Sequence, residues 1–286
     1  MDGLRFAIGT LSVFPVRVSR VDREVAGRAM ALAPLVGLVL GVVAALPLLL
    51  PGPPLLGAAL SLGLLALLTR GLHLDGLADL ADGLGSGRPA PQALDIMKKS
   101  DIGPFGVVTL IVTLLVQAAA LSGLPPWAGM AALVTACATG RLALTWACRV
   151  GVPAARPDGL GAMVAATVRP AARWTTTLAT LTLATILHTW PDATPDAQAP
   201  GAQMPGVQAV GTQVVGVQAV GPGDGGLGAV VPVEVVLPLA VVVGLGVAMA
   251  LLGHARRRLG GITGDVLGAL VETATTAALV TCALLI

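Results

Sequence analysis

The chain has no tyrosine, three phenylalanines and four tryptophans, and only 11% of its 286 residues are charged. A soluble domain carries about 25% charged residues, so a water-exposed globule is excluded. The net charge of +2 is too small to suggest a nucleic-acid partner. Cysteine is scarce as well. Cys137, Cys148 and Cys282 show neither pairing nor metal-ligand spacing, and they read as small buried hydrophobes. There is no phosphate-binding P-loop pattern and no His/Cys metal set, because His73, His188 and His254 are scattered. A cleaved signal peptide is not expected either. The apolar run from Phe6 to Phe14 is too short to span, is broken by Pro15, and is followed by Arg17, Arg20 and Arg23 with no small-residue cleavage site.

What remains is apolar. Hydrophobic residues make up 55% of the chain, and the mean hydropathy is +0.88. The fold class expected is all-α, a polytopic integral membrane helical bundle forming one domain over 1–286. About seven transmembrane helices are expected, at 28–50, 52–69, 105–123, 128–148, 174–190, 231–252 and 267–286, with residues 1–26 as an interfacial segment. Lys and Arg fall at one set of ends: Arg5 to Arg28, Arg70, Arg88, Lys98, Lys99, Arg141, Arg149, Arg156, Arg169, Arg173 and Arg256 to Arg258. The positive-inside rule makes that face cytoplasmic and places the N-terminus inside. Trp127 and Trp190 then mark outer span ends, and Trp146 and Trp174 inner ones. Residues 191–230 stand apart. They lack Lys and Arg, repeat GVQAV-like pentapeptides, and read as a low-complexity external insertion with no catalytic role.

The acidic residues are concentrated where the basic ones are. In HLDGLADLADGLGSGR, Asp75, Asp79 and Asp82 stand at i, i+4 and i+7, on one face if the segment is helical. Like charges at that spacing repel, and a hard divalent cation on carboxylate oxygens would compensate them. Gly76 and Gly83 follow two of these acids directly, which would let a ligand approach the backbone. A second region holds Arg141 inside a span and Arg156 in a charged turn. The third, RRRLGGITGDVLGALVE, joins Arg256, Arg257 and Arg258 to Asp265 and Glu272, seven apart on one face. Glu272 lies within a span, and a lining position in a cytoplasmic cavity would spare it the cost of burial. Carboxylates, glycines and arginines gathered at one membrane face suit a diphosphate: Mg²⁺ neutralises it and Arg grips its oxygens.

These segments resemble the cobalamin synthase family, the adenosylcobinamide-GDP ribazoletransferases. FAIGTLSVFPV, PLVGLVLG, HLDGLADLADGLGSGR, ALDIMKKSDIGPFG, ARPDGLGA and GGITGDVLGALVE carry the likeness, in the family's order, over nearly all of the chain except 191–230. The resemblance implies a multi-pass enzyme of the bacterial inner membrane, active at the cytoplasmic face, in late vitamin B12 biosynthesis. It would join adenosylcobinamide-GDP to α-ribazole or its 5′-phosphate with Mg²⁺, releasing GMP. The ribazole 5′ oxygen is expected to attack the cobinamide-side phosphorus. Asp75, Asp79, Asp82 and Asp265 are the expected metal carboxylates. Asp265 and Glu272 would hold a second metal, or one of them would serve as base, and Arg141, Arg156 and Arg256 to Arg258 would bind phosphate. Lys99-Ser100-Asp101 departs from the family, whose acid stands two positions earlier, which puts a role for Asp101 in doubt.

Two alternatives remain open, and so does homo-oligomerisation. A CDP-alcohol phosphotransferase or prenyltransferase-like enzyme would use the same metal–diphosphate physics, but its aspartate spacing is not matched. A transporter would place its acids near midplane rather than at one face.

Overall fold

The computed structural model describes residues 1–188 and 233–286, and the segment expected as an insertion lies outside them. Among the described residues every regular element is helical. Helix α1 (Asp2–Leu11) buries Ala7 and Leu11 against α2 (Arg23–Ala45), whose first turn is capped by Asp22. That carboxylate accepts the N–H groups of Glu24 and Val25, both at 3.0 Å. The Val25 N–H, the largest cause, holds Asp22 below the usual carboxylate range, helped by Arg20.

A short 3₁₀ turn leads to α3 (Pro54–Leu68) and α4 (Leu72–Gly85). These two are bent 89° from one another. The corner is made by two successive left-handed residues, Arg70 (φ 55°) and Gly71 (φ 67°). Glycine adopts that conformation freely; arginine does so at roughly 1 kcal/mol. Its guanidinium donates to the Gly9 carbonyl at 3.2 Å, which ties the corner to α1.

The chain continues through α5 (Ala90–Ile96), α6 (Pro104–Ser122), α7 (Pro126–Ala147), α8 (Gly159–Val164), α9 (Pro170–His188), α10 (Val233–Leu259) and α11 (Gly264–Leu285). The most deeply buried helix is α7, which packs against α2, α10 and α11. Small residues allow this. A Cβ on Gly41 would fall 2.9 Å from the Val134 Cα, and one on Gly140 would fall 2.9 Å from the Val271 carbonyl. Close backbone approach is how helices associate where lipid offers no hydrophobic drive.

The all-helical class and the helix positions match the reading of the sequence. The count of seven spans is not confirmed. Among the described residues five helices are long and apolar enough to cross a membrane, or six if the bent α3–α4 pair is one span. Alone, α3 has 15 residues, short of the roughly 20 a bilayer core requires. The threonines of α9 lower its apolarity, although Thr176, Thr177 and Thr180 return their hydroxyls to carbonyls four residues back.

Candidate active site at the α4–α11 crossing

Glycine decides where the site forms. A Cβ on Gly76 of α4 would lie 2.8 Å from the Asp265 carbonyl and 3.2 Å from the Gly268 Cα. A Cβ on Gly268 would in turn lie 3.1 Å from the His73 carbonyl. The two helices therefore cross backbone to backbone, and the carboxylates beside the crossing come together. The sequence reading assigned such glycines to ligand approach. Their neighbours are other helices instead: a Cβ on Gly83 would fall 2.6 Å from the Met97 side chain, and one on Gly85 would fall 2.6 Å from the Phe105 ring.

Exposure falls along α4, with Asp75 exposed, Asp79 half-buried and Asp82 buried. Desolvation raises the Asp79 carboxyl to about 7, and the charges of Asp75, Asp265 and Asp82 add to the rise. Arg156 opposes it, and is within electrostatic reach of Asp265 as well. Asp265 stands in the first turn of α11. Thr263, the N-cap of that helix, accepts the Val266 N–H and donates its hydroxyl to Asp265 Oδ2, both at 3.2 Å.

Asp82 has a different task. Its two oxygens accept the N–H groups of Gly103 at 2.7 Å and Gly106 at 3.0 Å, which caps α6. Helical rise explains the division. Residues seven apart are separated by about 10 Å along the axis, so Asp75 and Asp82 cannot meet at one ion.

The same rise separates Glu272 from Asp265. Expected to line a cavity, Glu272 is 8% exposed and accepts the Gln117 amide at 3.1 Å. That amide nitrogen also donates to Thr276 at 2.8 Å. Arg141, 1% exposed, is buried nearby. Its guanidinium approaches the Cys137 carbonyl and His73 Nδ1, each at 3.5 Å, and its Nε has no partner. Arg141 thus stands in the helix core, apart from the open carboxylates.

The loop after α7 carries Arg156 to them. It is pinned where Ala155 donates to the Ile262 carbonyl at 2.9 Å and Ile262 donates to the Pro153 carbonyl at 3.0 Å. Gly161 permits the contact, since a Cβ there would sit 2.8 Å from the Thr263 Cα. The Arg156 guanidinium donates to the Leu94 carbonyl at 2.6 Å and leaves a buried Nε without a partner. The basic triplet is placed differently. Arg256 reaches the Gly151 carbonyl at 3.4 Å, Arg258 reaches the Arg88 carbonyl at 3.5 Å, and Arg257 is exposed. Asp101 is exposed in a bend. Gln117, Thr263 and Arg23 were not singled out from sequence; each acts through a partner far along the chain or through a cap.

Asp75, Asp79 and Asp265 offer hard oxygen donors with Arg156 beside them. Among the described residues no three His, Cys, Asp or Glu side chains converge into a ready-made metal cage. A magnesium-like ion needs only one or two carboxylates when substrate phosphates and water complete its octahedron. The donor chemistry fits such an ion held jointly with a diphosphate.

A family model described as cobalamin-5-phosphate synthase matches residues 3–283. An adenosylcobinamide-GDP ribazoletransferase from Frankia casuarinae is 40% identical, covering 99% of this chain and 94% of its own. Proteins of the same name from Nocardioides sp. and Pseudomonas putida are 46% and 41% identical over 58% and 68% of this chain, and 74% and 80% of theirs. No solved structure matches.

Proposed function

Because this chain belongs to the cobalamin-5-phosphate synthase family, we propose that it joins adenosylcobinamide-GDP to α-ribazole or its 5′-phosphate at the α4–α11 crossing. Its reaction is that of an adenosylcobinamide-GDP ribazoletransferase, a transferase of cobalamin synthesis, rather than of a CDP-alcohol phosphotransferase, a prenyltransferase or a transporter. The observation that carries the site is the close approach of Gly76 to Asp265 and Gly268, which gathers Asp75, Asp79 and Asp265 around Arg156.

The expected attack by the ribazole 5′ oxygen needs correcting. The family's description names a 5-phosphate product, so in the phosphorylated acceptor the 5′ oxygen is already esterified. A ribose hydroxyl other than the 5′ one attacks the cobinamide-side phosphorus. A new P–O bond forms there, the bond to the bridging oxygen breaks, and GMP leaves with that oxygen. The hydroxyl proton passes to a carboxylate or to water. Arg156 binds the diphosphate oxygens and offsets their charge as it shifts toward the leaving group. Asp75, Asp79 and Asp265 would hold Mg²⁺, which supplies charge neutralisation to the diphosphate when bound. Asp82 keeps α4 and α6 in register, and Glu272, Gln117 and Arg141 form a polar core between the helices. The one-sided Lys/Arg distribution supports a cytoplasmic position for this end of the bundle, in a bacterial inner membrane.

The test is incubation of detergent-purified protein with adenosylcobinamide-GDP, α-ribazole and Mg²⁺. Cobalamin and GMP should appear together, and formation of neither would overturn the reading. Asp79→Asn and Asp265→Asn should each slow turnover about 10²-fold. The double variant should be far less than multiplicatively worse if the two act on one centre.

A further inference from the structure

Two cavities share part of their lining, and one of them is reached by Arg156, whose charge acts on Asp79 and Asp265. The first, about 550 Å³, is lined by Arg156, Val152 to Ala155, Pro157 and Arg23. The second, about 470 Å³, shares Arg23 and Ala166 with it and adds Glu24, Arg28, Thr167 and Arg169. Each is within the size range of small-molecule sites, about 300–1,000 Å³. Arg23 forms the wall between them, because its guanidinium is spent on the Ala162 and Ala165 carbonyls at the end of α8.

Their chemistry differs. The first has an apolar floor of small residues and proline, with Arg156 in its lining. The second is cationic: Arg23, Arg28 and Arg169 face a single acid, Glu24. Glu24 is already engaged by Arg28 at 2.7 Å and Arg20 at 3.6 Å. Arg169 is exposed, and its guanidinium has no hydrogen-bond or ion-pair partner among the described residues. Nothing in the transfer step described above uses this second pocket.

We infer that the pocket of Arg23, Arg28 and Arg169 is a phosphate-monoester subsite that takes the acceptor's 5′-phosphate. The inference rests on the proposed function. An acceptor whose flat base lies in the first cavity can place a ribose hydroxyl toward Arg156 and the carboxylates. Its 5′-phosphate, on the opposite side of the ribose, then reaches the arginines. A dianion needs such a partner of its own, because the carboxylate centre repels it unless a cation intervenes.

The two acceptors differ by one phosphate group, which supplies the experiment. KM for α-ribazole 5′-phosphate, for α-ribazole and for adenosylcobinamide-GDP would be measured on the full chain in phosphatidylcholine nanodiscs. Arg169→Gln and Arg28→Gln should each raise KM for the phosphorylated acceptor by about 10-fold or more. KM for α-ribazole and for the donor should stay within about twofold of wild type. An equal rise for both acceptors, or a rise for the donor alone, would overturn the assignment. So would an effect seen only when phosphatidylglycerol is present, which would make the ligand a lipid headgroup. Should wild type turn over neither acceptor, the proposed function fails. Calorimetric binding of α-ribazole 5′-phosphate against α-ribazole then still decides the subsite: Arg169→Gln weakens only the former if it is correct, and neither or both alike if it is not.

Discussion

At the scale of single residues, Asp79 and Asp82 belong to one motif and do different work. Asp79 has its carboxyl raised to about 7, by burial first and by neighbouring carboxylates next. Folding therefore increases proton binding between the ordinary aspartate value of 3.8 and about 7. The sign follows: without a divalent cation, this group's contribution to stability falls as pH rises through that window. A bound cation competes with the same proton. The Mg²⁺ concentration for half-maximal activity should thus rise as pH drops from 8 to 6, and thermal stability in chelator at pH 8 should improve when Mg²⁺ is restored. Asp79→Asn should flatten both dependences; an unchanged Mg²⁺ titration across this range would count against the assignment. Asp82, with its oxygens on Gly103 and Gly106, is a matter of stability. Asp82→Ala should cost roughly 1–2 kcal/mol as a lost cap, a drop in thermal midpoint of about 2–4 °C per kcal/mol, whereas exposed Asp75→Ala should leave the midpoint unchanged. The D-x₃-D-x₂-D spacing could place these acids on a helical face. It could not say that one of them would meet a helix N-terminus 21 residues later.

At the scale of elements, the crossing of α4 and α11 is the most demanding contact, and substitution can read it directly. Gly76→Val puts branched carbons where the Asp265 carbonyl and the Gly268 Cα already stand. The helices must separate, and the expected result is at least a 10²-fold loss of activity in protein that still inserts. Gly63→Ala, on α3 with nothing within 4 Å, should be silent and controls for general helix effects. Much of this level was legible in advance. Hydropathy located the long helices, and the polar motifs marked the stretches that converge. Less could be read where polar atoms are satisfied locally or at a distance. The threonines of α9 hide in backbone hydrogen bonds, the Arg70–Gly71 corner has no hydropathy signature, and Glu272 is matched by Gln117 from another helix.

At the scale of the whole molecule, the ends of α6, α7, α10 and α11 that meet α4 and the 149–169 loop are also those that carry the basic residues. Orientation can be checked with two exposed positions on opposite ends, Ser100 and Gly123. A membrane-impermeant thiol reagent added to intact cells should label Gly123→Cys and spare Ser100→Cys. The native cysteines are buried and give a low background, and labelling of Ser100→Cys would reverse the proposed sidedness. The α4–α11 contact has one more consequence, for how the protein is made. The ribosome delivers Asp75 and Asp79 early and Asp265 only after most of the chain has been threaded into the bilayer. Until then the face of α4 that will receive α11 is open, and the nascent protein holds two of its three carboxylates. Inserted chains that stall before α11 should accumulate as stable but silent species, so catalytic competence would be acquired in a single late assembly event.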